Sequence, residues 1–159
     1  MSDHMNAAQA ESEGRNGDRT LVVERVFRAT PEKVFAAWTD PIQLAKWWGP
    51  EGMFAPDVEM DARTGGAWRT VMANDDGMRV TVSGRYREVS PPDRLVMTWG
   101  WQQEDGTRGH ETEIVLTLED VPEGTRLRLV QSVFETADDR NRHGMGWNSS
   151  FNDLERVFA

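Results

Sequence analysis

Few side chains in this sequence could exchange a proton near neutrality. There are three histidines, His4, His110 and His143, and no cysteine. No two histidines stand at the one-turn spacing of a helical metal site, and with no thiolate to help, neither zinc chemistry nor thiol chemistry is expected. His143 precedes Trp147 by four residues, so on a helix it falls on or beside the same face. It is the one candidate general acid or base, with an ordinary pKa of about 6.5; a structural role for a lone histidine near a helix start is the competing reading. Glu111 and Glu113 share a strand face that parity turns outward, which leaves paired-carboxylate hydrolysis without support. The sequence has no Gly-x-Ser-x-Gly elbow, phosphate-binding loop or dinucleotide fingerprint, and Gly65-Gly66 reads as a hairpin device. No residue is assigned a catalytic role, no cofactor and no metal are expected, and the pattern leans away from an enzyme.

What remains is an unusual supply of indoles and thioethers, seven tryptophans and eight methionines. Indoles give large apolar area with one donor for orientation, and thioethers adapt to irregular shapes. Period-two alternation puts Trp68, Met72, Val80, Trp99, Trp101 and Ile114 on the inner side of successive strands. Met145, Trp147 and Phe151 come from the C-terminal helix, and His143 lies beside them. Gln131 is the polar residue expected to point inward, toward a ligand carbonyl or hydroxyl or toward a neighbouring backbone group. Together these eleven residues are the candidate wall of a cavity for a hydrophobic or aromatic small molecule. A solidly packed core is the alternative.

The elements that must position them follow from local patterns. Leu21 to Phe27 is a β-rich run. Thr30-Pro31-Glu32 is a helix start, and Asp40-Pro41 repeats that signal, so two short helices follow the first strand. Leu44, Trp47 and Trp48 then share a helical face that Gly49-Pro50 closes. From Met53 to Phe134 the period is two, interrupted by Arg63-Thr64-Gly65-Gly66, Asn74-Asp75-Asp76-Gly77, Ser90-Pro91-Pro92-Asp93, Glu104-Asp105-Gly106 and Pro122-Glu123-Gly124. A hairpin centred on 121–124 sets Leu118 opposite Leu127, Leu116 opposite Leu129 and Ile114 opposite Gln131. Its other face sets Glu119 opposite Arg126 and Thr117 opposite Arg128, as a half-buried antiparallel sheet requires. Thr136-Ala137-Asp138-Asp139 resembles a capping box, opening a helix over about 137–158 with Trp147, Phe151, Leu154 and Phe158 in one stripe. Gly144 and Gly146 cost about 1 kcal/mol each relative to alanine in a helix interior. They imply close approach to the backbone, or else a helix that begins only near Gly146.

With 159 residues the chain fits one domain, 19–159, behind a polar tail at 1–18 that lacks aromatics and is expected to be flexible. A net charge of −9 argues against nucleic acid and against anionic lipid surfaces. No apolar run approaches the roughly 20 residues of a membrane helix. A cytoplasmic protein is expected, with a hydrophobic small molecule as partner. The exposed side of the sheet and the Trp47-Trp48 corner are candidate surfaces for a protein partner or a homodimer.

Four pieces carry a resemblance to a known family. They are Trp38-Thr39-Asp40-Pro41 continuing to Trp47-Trp48-Gly49-Pro50; Arg63-Thr64-Gly65-Gly66; Gly84-Arg85-Tyr86-Arg87-Glu88-Val89-Ser90-Pro91-Pro92-Asp93-Arg94-Leu95 with Thr98-Trp99; and His143-Gly144-Met145-Gly146-Trp147. Over roughly 20–158 the chain resembles the activator of heat-shock protein 90 ATPase homologue family, within the START-like (SRPBCC, birch-pollen-allergen-like) superfamily. The resemblance implies an α+β helix-grip fold, a curved antiparallel sheet of six to seven strands wrapped around a long C-terminal helix, with a cavity between sheet and helix. It does not imply one function. A hydrophobic ligand-binding module is favoured; a polyketide cyclase/dehydratase-like enzyme and a co-chaperone-like protein stimulating a heat-shock ATPase in a stress response are the alternatives.

Overall fold

The computed structural model describes residues 19–159; the stretch 1–18, expected as a tail, lies outside the described residues. Strand β1 (Leu21–Phe27) leads into two helices, α1 (Pro31–Thr39) and α2 (Pro41–Leu44). Six strands follow: β2 (Met53–Met60), β3 (Ala67–Asn74), β4 (Arg79–Ser90), β5 (Arg94–Gln102), β6 (Arg108–Val121) and β7 (Gly124–Ser132). Helix α3 (Ala137–Val157) ends the fold. The strands form one curled antiparallel sheet in the order β1-β7-β6-β5-β4-β3-β2. Strands β2 to β7 are therefore a simple meander, and β1 joins its far edge. The concave face holds α3.

The helix starts were encoded in single side chains. Thr30 Oγ1 accepts the Lys33 amide at 3.3 Å, and Thr136 Oγ1 accepts that of Asp139 at 3.0 Å. Asp40 serves twice. Its amide donates to the Ala36 carbonyl at 2.9 Å to end α1, while its carboxylate accepts the Ile42 amide at 2.9 Å to begin α2. Helix α2 is shorter than its spacing suggested. Its α-helical hydrogen bonding gives way to a turn before Trp47, and the amides of Trp47 and Trp48 both donate to the Leu44 carbonyl at 3.2 and 3.1 Å. Both indoles are thereby turned into the core, 1 % and 3 % exposed. The corner is not available as a docking surface.

The β6–β7 hairpin has the register expected from charge and apolar pairing: Leu118 faces Leu127, Ile114 faces Gln131, and Glu119 faces Arg126. On the convex side Arg126 meets Glu119 at 2.8 Å and Arg128 reaches across to Glu24 of β1 at 3.2 Å. Helix α3 runs unbroken through both of its glycines. At Gly144 an added Cβ would lie 3.1 Å from a Leu21 methyl, so this glycine does let β1 approach. At Gly146 the space is open. Arg25 fastens β1 to the helix, donating to Asn152 at 2.8 Å and to Glu155 at 3.3 Å, with its guanidinium 5.8 Å from the Phe151 ring centre. Beneath it Trp147, Phe151 and Leu154 are buried, each large apolar side chain contributing about 1.5–3 kcal/mol by removal from water.

Two glycines on the concave side make opposite predictions. A Cβ at Gly84 would sit 1.9 Å from the Thr98 carbonyl oxygen and 2.7 Å from Trp68 Nε1. Gly84→Ala should therefore lower unfolding free energy by about 1–3 kcal/mol, the usual cost of overpacking. Gly146→Ala, in open space on a helix, should raise it by about 0.5–1 kcal/mol. Urea denaturation of both variants checks the pair, and a harmless Gly84→Ala would contradict the packing described.

Candidate functional site

All seven tryptophans belong to one contiguous ring network. Trp38 of α1 stacks on Trp147 of α3 with centroids 5.6 Å apart, and Trp47 and Trp48 close on Trp38 at 4.9 and 5.9 Å. From Trp48 the contacts pass to Trp68 at 6.3 Å and Trp99 at 5.8 Å on the sheet. Trp99 touches Trp147 at 5.2 Å and Trp101 at 5.5 Å. Most of these pairs are edge-to-face or tilted, the arrangement that the ring quadrupole favours.

Each buried indole N–H needs an acceptor, and the sequence supplies five. Trp47 donates to the Ala37 carbonyl at 3.0 Å, Trp48 to Thr70 Oγ1 at 2.9 Å and Trp68 to the Thr98 carbonyl at 3.1 Å. Trp147 donates to Gln131 Oε1 at 2.8 Å, and Gln131 Nε2 donates in turn to Thr112 Oγ1 at 2.8 Å. Trp101 donates to His143 Nε2 at 2.9 Å. Trp38 and Trp99 keep buried N–H groups that have no partner among the described residues.

Beside this network the sheet and α3 part to leave a cleft of about 420 Å³. Its inner wall is Trp48, Met72, Trp99, Trp101, Phe134 and Trp147. The turn after β5 supplies Gln103, the start of β6 supplies His110 and Thr112, and the first turns of α3 supply Asp139, Arg142 and His143. Gly49 turns the corner at Trp48 with φ of +109°, a conformation that other residues rarely adopt, and an added Cβ there would lie 3.3 Å from that of Met53.

The residues expected to line a cavity divide into three groups. Met72, Trp99, Trp101, His143 and Trp147 border the cleft. Trp68, Ile114, Gln131 and Phe151 are buried behind it, and Val80 is half-buried against the same core, so these five support the wall without forming it. Met145 departs from the expectation altogether. It is 70 % exposed and does not border the cleft. Gln131 is turned neither to the cleft nor to the expected backbone group; it joins two side chains, Trp147 and Thr112. Unanticipated wall residues are Trp48, Phe134, Thr112, Gly146 and Ser150; of these Ser150 was findable, since it follows Trp147 by three residues on the buried stripe.

His143 is held by both nitrogens. An indole N–H can only donate, so Nε2 must be the unprotonated nitrogen, and Nδ1–H donates to the Asp139 carbonyl at 2.7 Å. No ring nitrogen is free to serve a substrate. Burial holds the imidazole below its ordinary pKa and the Arg142 charge adds to this, against the opposing pull of the Asp139 carbonyl and carboxylate.

The sign of the pH effect follows. The unfolded chain takes up a proton at His143 first, near the usual pKa of about 6.5, so the stabilisation is present above that value and is lost as pH falls below it. Thermal stability should decline between pH 7.5 and 5 more steeply in the native sequence than in His143→Gln. Parallel declines in the two proteins would show that the imidazole is not the group responsible.

Comparison with known proteins agrees with this architecture. Residues 28–159 match the family described as Activator of Hsp90 ATPase homolog 1-like protein. A crystal structure of such a protein from Silicibacter pomeroyi is 36 % identical, covering 87 % of this chain and 96 % of its own, with a TM-score of 0.81. A Chromobacterium violaceum protein is 31 % identical over 88 % of this chain and 97 % of its own, with a TM-score of 0.80. One from Nitrosomonas europaea, at 25 % identity, covers 89 % of this chain and 95 % of its own, with a TM-score of 0.75. No protein of curated function matches the chain. Among the described residues no helix is long and apolar enough to cross a membrane. With its curled seven-stranded sheet closed over α3 and the match running from residue 28 to the last, the chain belongs to the Activator of Hsp90 ATPase homolog 1-like family, of the START-like kind.

Proposed function

We propose that the protein is a non-enzymatic module that holds a hydrophobic, ring-containing small molecule between the sheet and the first half of α3. One observation carries this reading. The aromatic network does not close upon itself but leaves about 420 Å³ open along Trp48, Trp99, Trp101 and Trp147. That volume lies within the range of small-molecule sites, toward its lower end, and suits a ligand of roughly two or three fused rings. A cyclase or dehydratase reading loses its one named acid–base group, since both nitrogens of His143 are engaged. The family description supports a second reading, contact with a heat-shock ATPase; co-purification with that ATPase and a change in its turnover would favour it. A cysteine-free chain of net charge −9 suits the reducing cytoplasm.

Nile red titration tests the ligand reading. The native protein should bind the dye with a blue-shifted emission and release it to apolar aromatic competitors. Gly146→Phe places a ring into the cleft from a position with nothing within 4 Å of its Cβ. That variant should keep its fold and lose at least about tenfold in affinity, which is 1.4 kcal/mol. Equal binding by the plugged variant, or none by the native protein, would sink the reading.

A further inference from the structure

The cleft's own hydrogen-bonding account says what its ligand must carry, given that the cleft is a ligand site. Its polar side chains are mostly spoken for. Trp48 is engaged with Thr70, Trp101 with His143, and Trp147 with Gln131, which is itself engaged with Thr112. Arg142 pairs with Asp139 at the rim. Two groups differ. Trp99 is 5 % exposed and borders the cleft, and its Nε1–H has no partner among the described residues. Ser150 is 4 % exposed and borders the same cleft, and its hydroxyl makes no hydrogen bond among the described residues. The other two unpaired buried groups, Trp38 Nε1 and Tyr86 Oη, do not border it.

Both free groups donate. Indole N–H cannot accept, and a serine hydroxyl can turn its hydrogen toward an acceptor. An unpaired buried donor is a standing penalty that a ligand oxygen removes on binding. The remaining wall offers neither the many hydrogen bonds that a sugar or nucleotide demands nor a free charge for an ionised group at the inner end. We propose that the cleft is built for a flat apolar ligand bearing one neutral acceptor oxygen at its inner end, an aryl ketone or quinone-type carbonyl, received by the Ser150 hydroxyl, or by Trp99 Nε1–H, which is covered as it stands, after a small turn of its ring. Discrimination then comes from the unpaired donor. An analogue without the oxygen leaves it unpaired, the same logic by which polar sites reject ligands that lack the matching group.

The matched pair 9-fluorenone and fluorene tests this, since the two share one ring frame and differ by a carbonyl in place of a methylene. Fluorene is the more hydrophobic, so simple partitioning would favour it. Affinities come from quenching of tryptophan emission and from Nile red displacement. The native protein should prefer fluorenone by about tenfold. Trp99→Phe, which keeps a ring in place, and Ser150→Ala, which disturbs packing least, should each be compared for the same ratio; in at least one the preference should fall toward unity because fluorenone loses more affinity than fluorene does. If both compounds bind equally, or fluorene binds tighter, the acceptor rule is overturned while the cleft still holds ligands. If the preference survives both substitutions, these donors are not its source and the proposal fails. If neither compound binds, the container reading falls with it.

Discussion

An indole is buried at little cost only if its N–H finds an acceptor, and this fold meets that constraint for five of its seven tryptophans. The acceptors come from everywhere in the chain: the Ala37 carbonyl of α1, Thr70 of β3, the Thr98 carbonyl of β5, Gln131 of β7 and His143 of α3. Hydrophobic burial alone is non-directional and would tolerate many packings. The donor–acceptor pairs make it directional, because a small rotation of one ring leaves a polar atom stranded. Sheet, corner and terminal helix are thus locked by the same small set of bonds.

The convex side works on different physics. Arg69 with Asp57, Arg87 with Glu113 and Arg128 with Glu24 form a cross-strand array of half-exposed ion pairs. Pairs of this kind contribute about 0–1 kcal/mol each, so they do not hold the sheet together. They fix strand partners and keep the outer surface hydrated, while the concave side supplies cohesion. Gly84 marks a place where the concave side dictates strand composition, since Trp68 reaches over β4 to the Thr98 carbonyl through the space a side chain would fill.

How much of this was legible in the sequence depends on the range of the interaction concerned. Helix starts at Thr30, Asp40 and Thr136 were readable because capping is decided within a few residues. The β6–β7 register was readable because opposite charges and apolar pairs alternate across a tight turn. Met145 was misplaced for an identifiable reason. Two residues on a helix are about 200° apart, so a methionine two before the inward Trp147 must face away. Trp47 and Trp48 were ambiguous because consecutive residues on a helix diverge, and only the early end of α2 lets both turn inward. The cleft itself could not be read. Whether Trp99 and Trp147 meet or part depends on sheet curl and ring tilt, which are set by contacts distant in sequence.

Asp40 has a mechanical consequence beyond its two caps. Because one residue ends α1 and begins α2, the two helices have no slack between them, and the Trp48–Pro50 wall that follows inherits a fixed bearing. The facing wall is tethered differently, its outermost indole resting on a single imidazole nitrogen. Under the proposed function, accommodation of guests with unequal outlines falls to one jaw, with the other acting as the anvil.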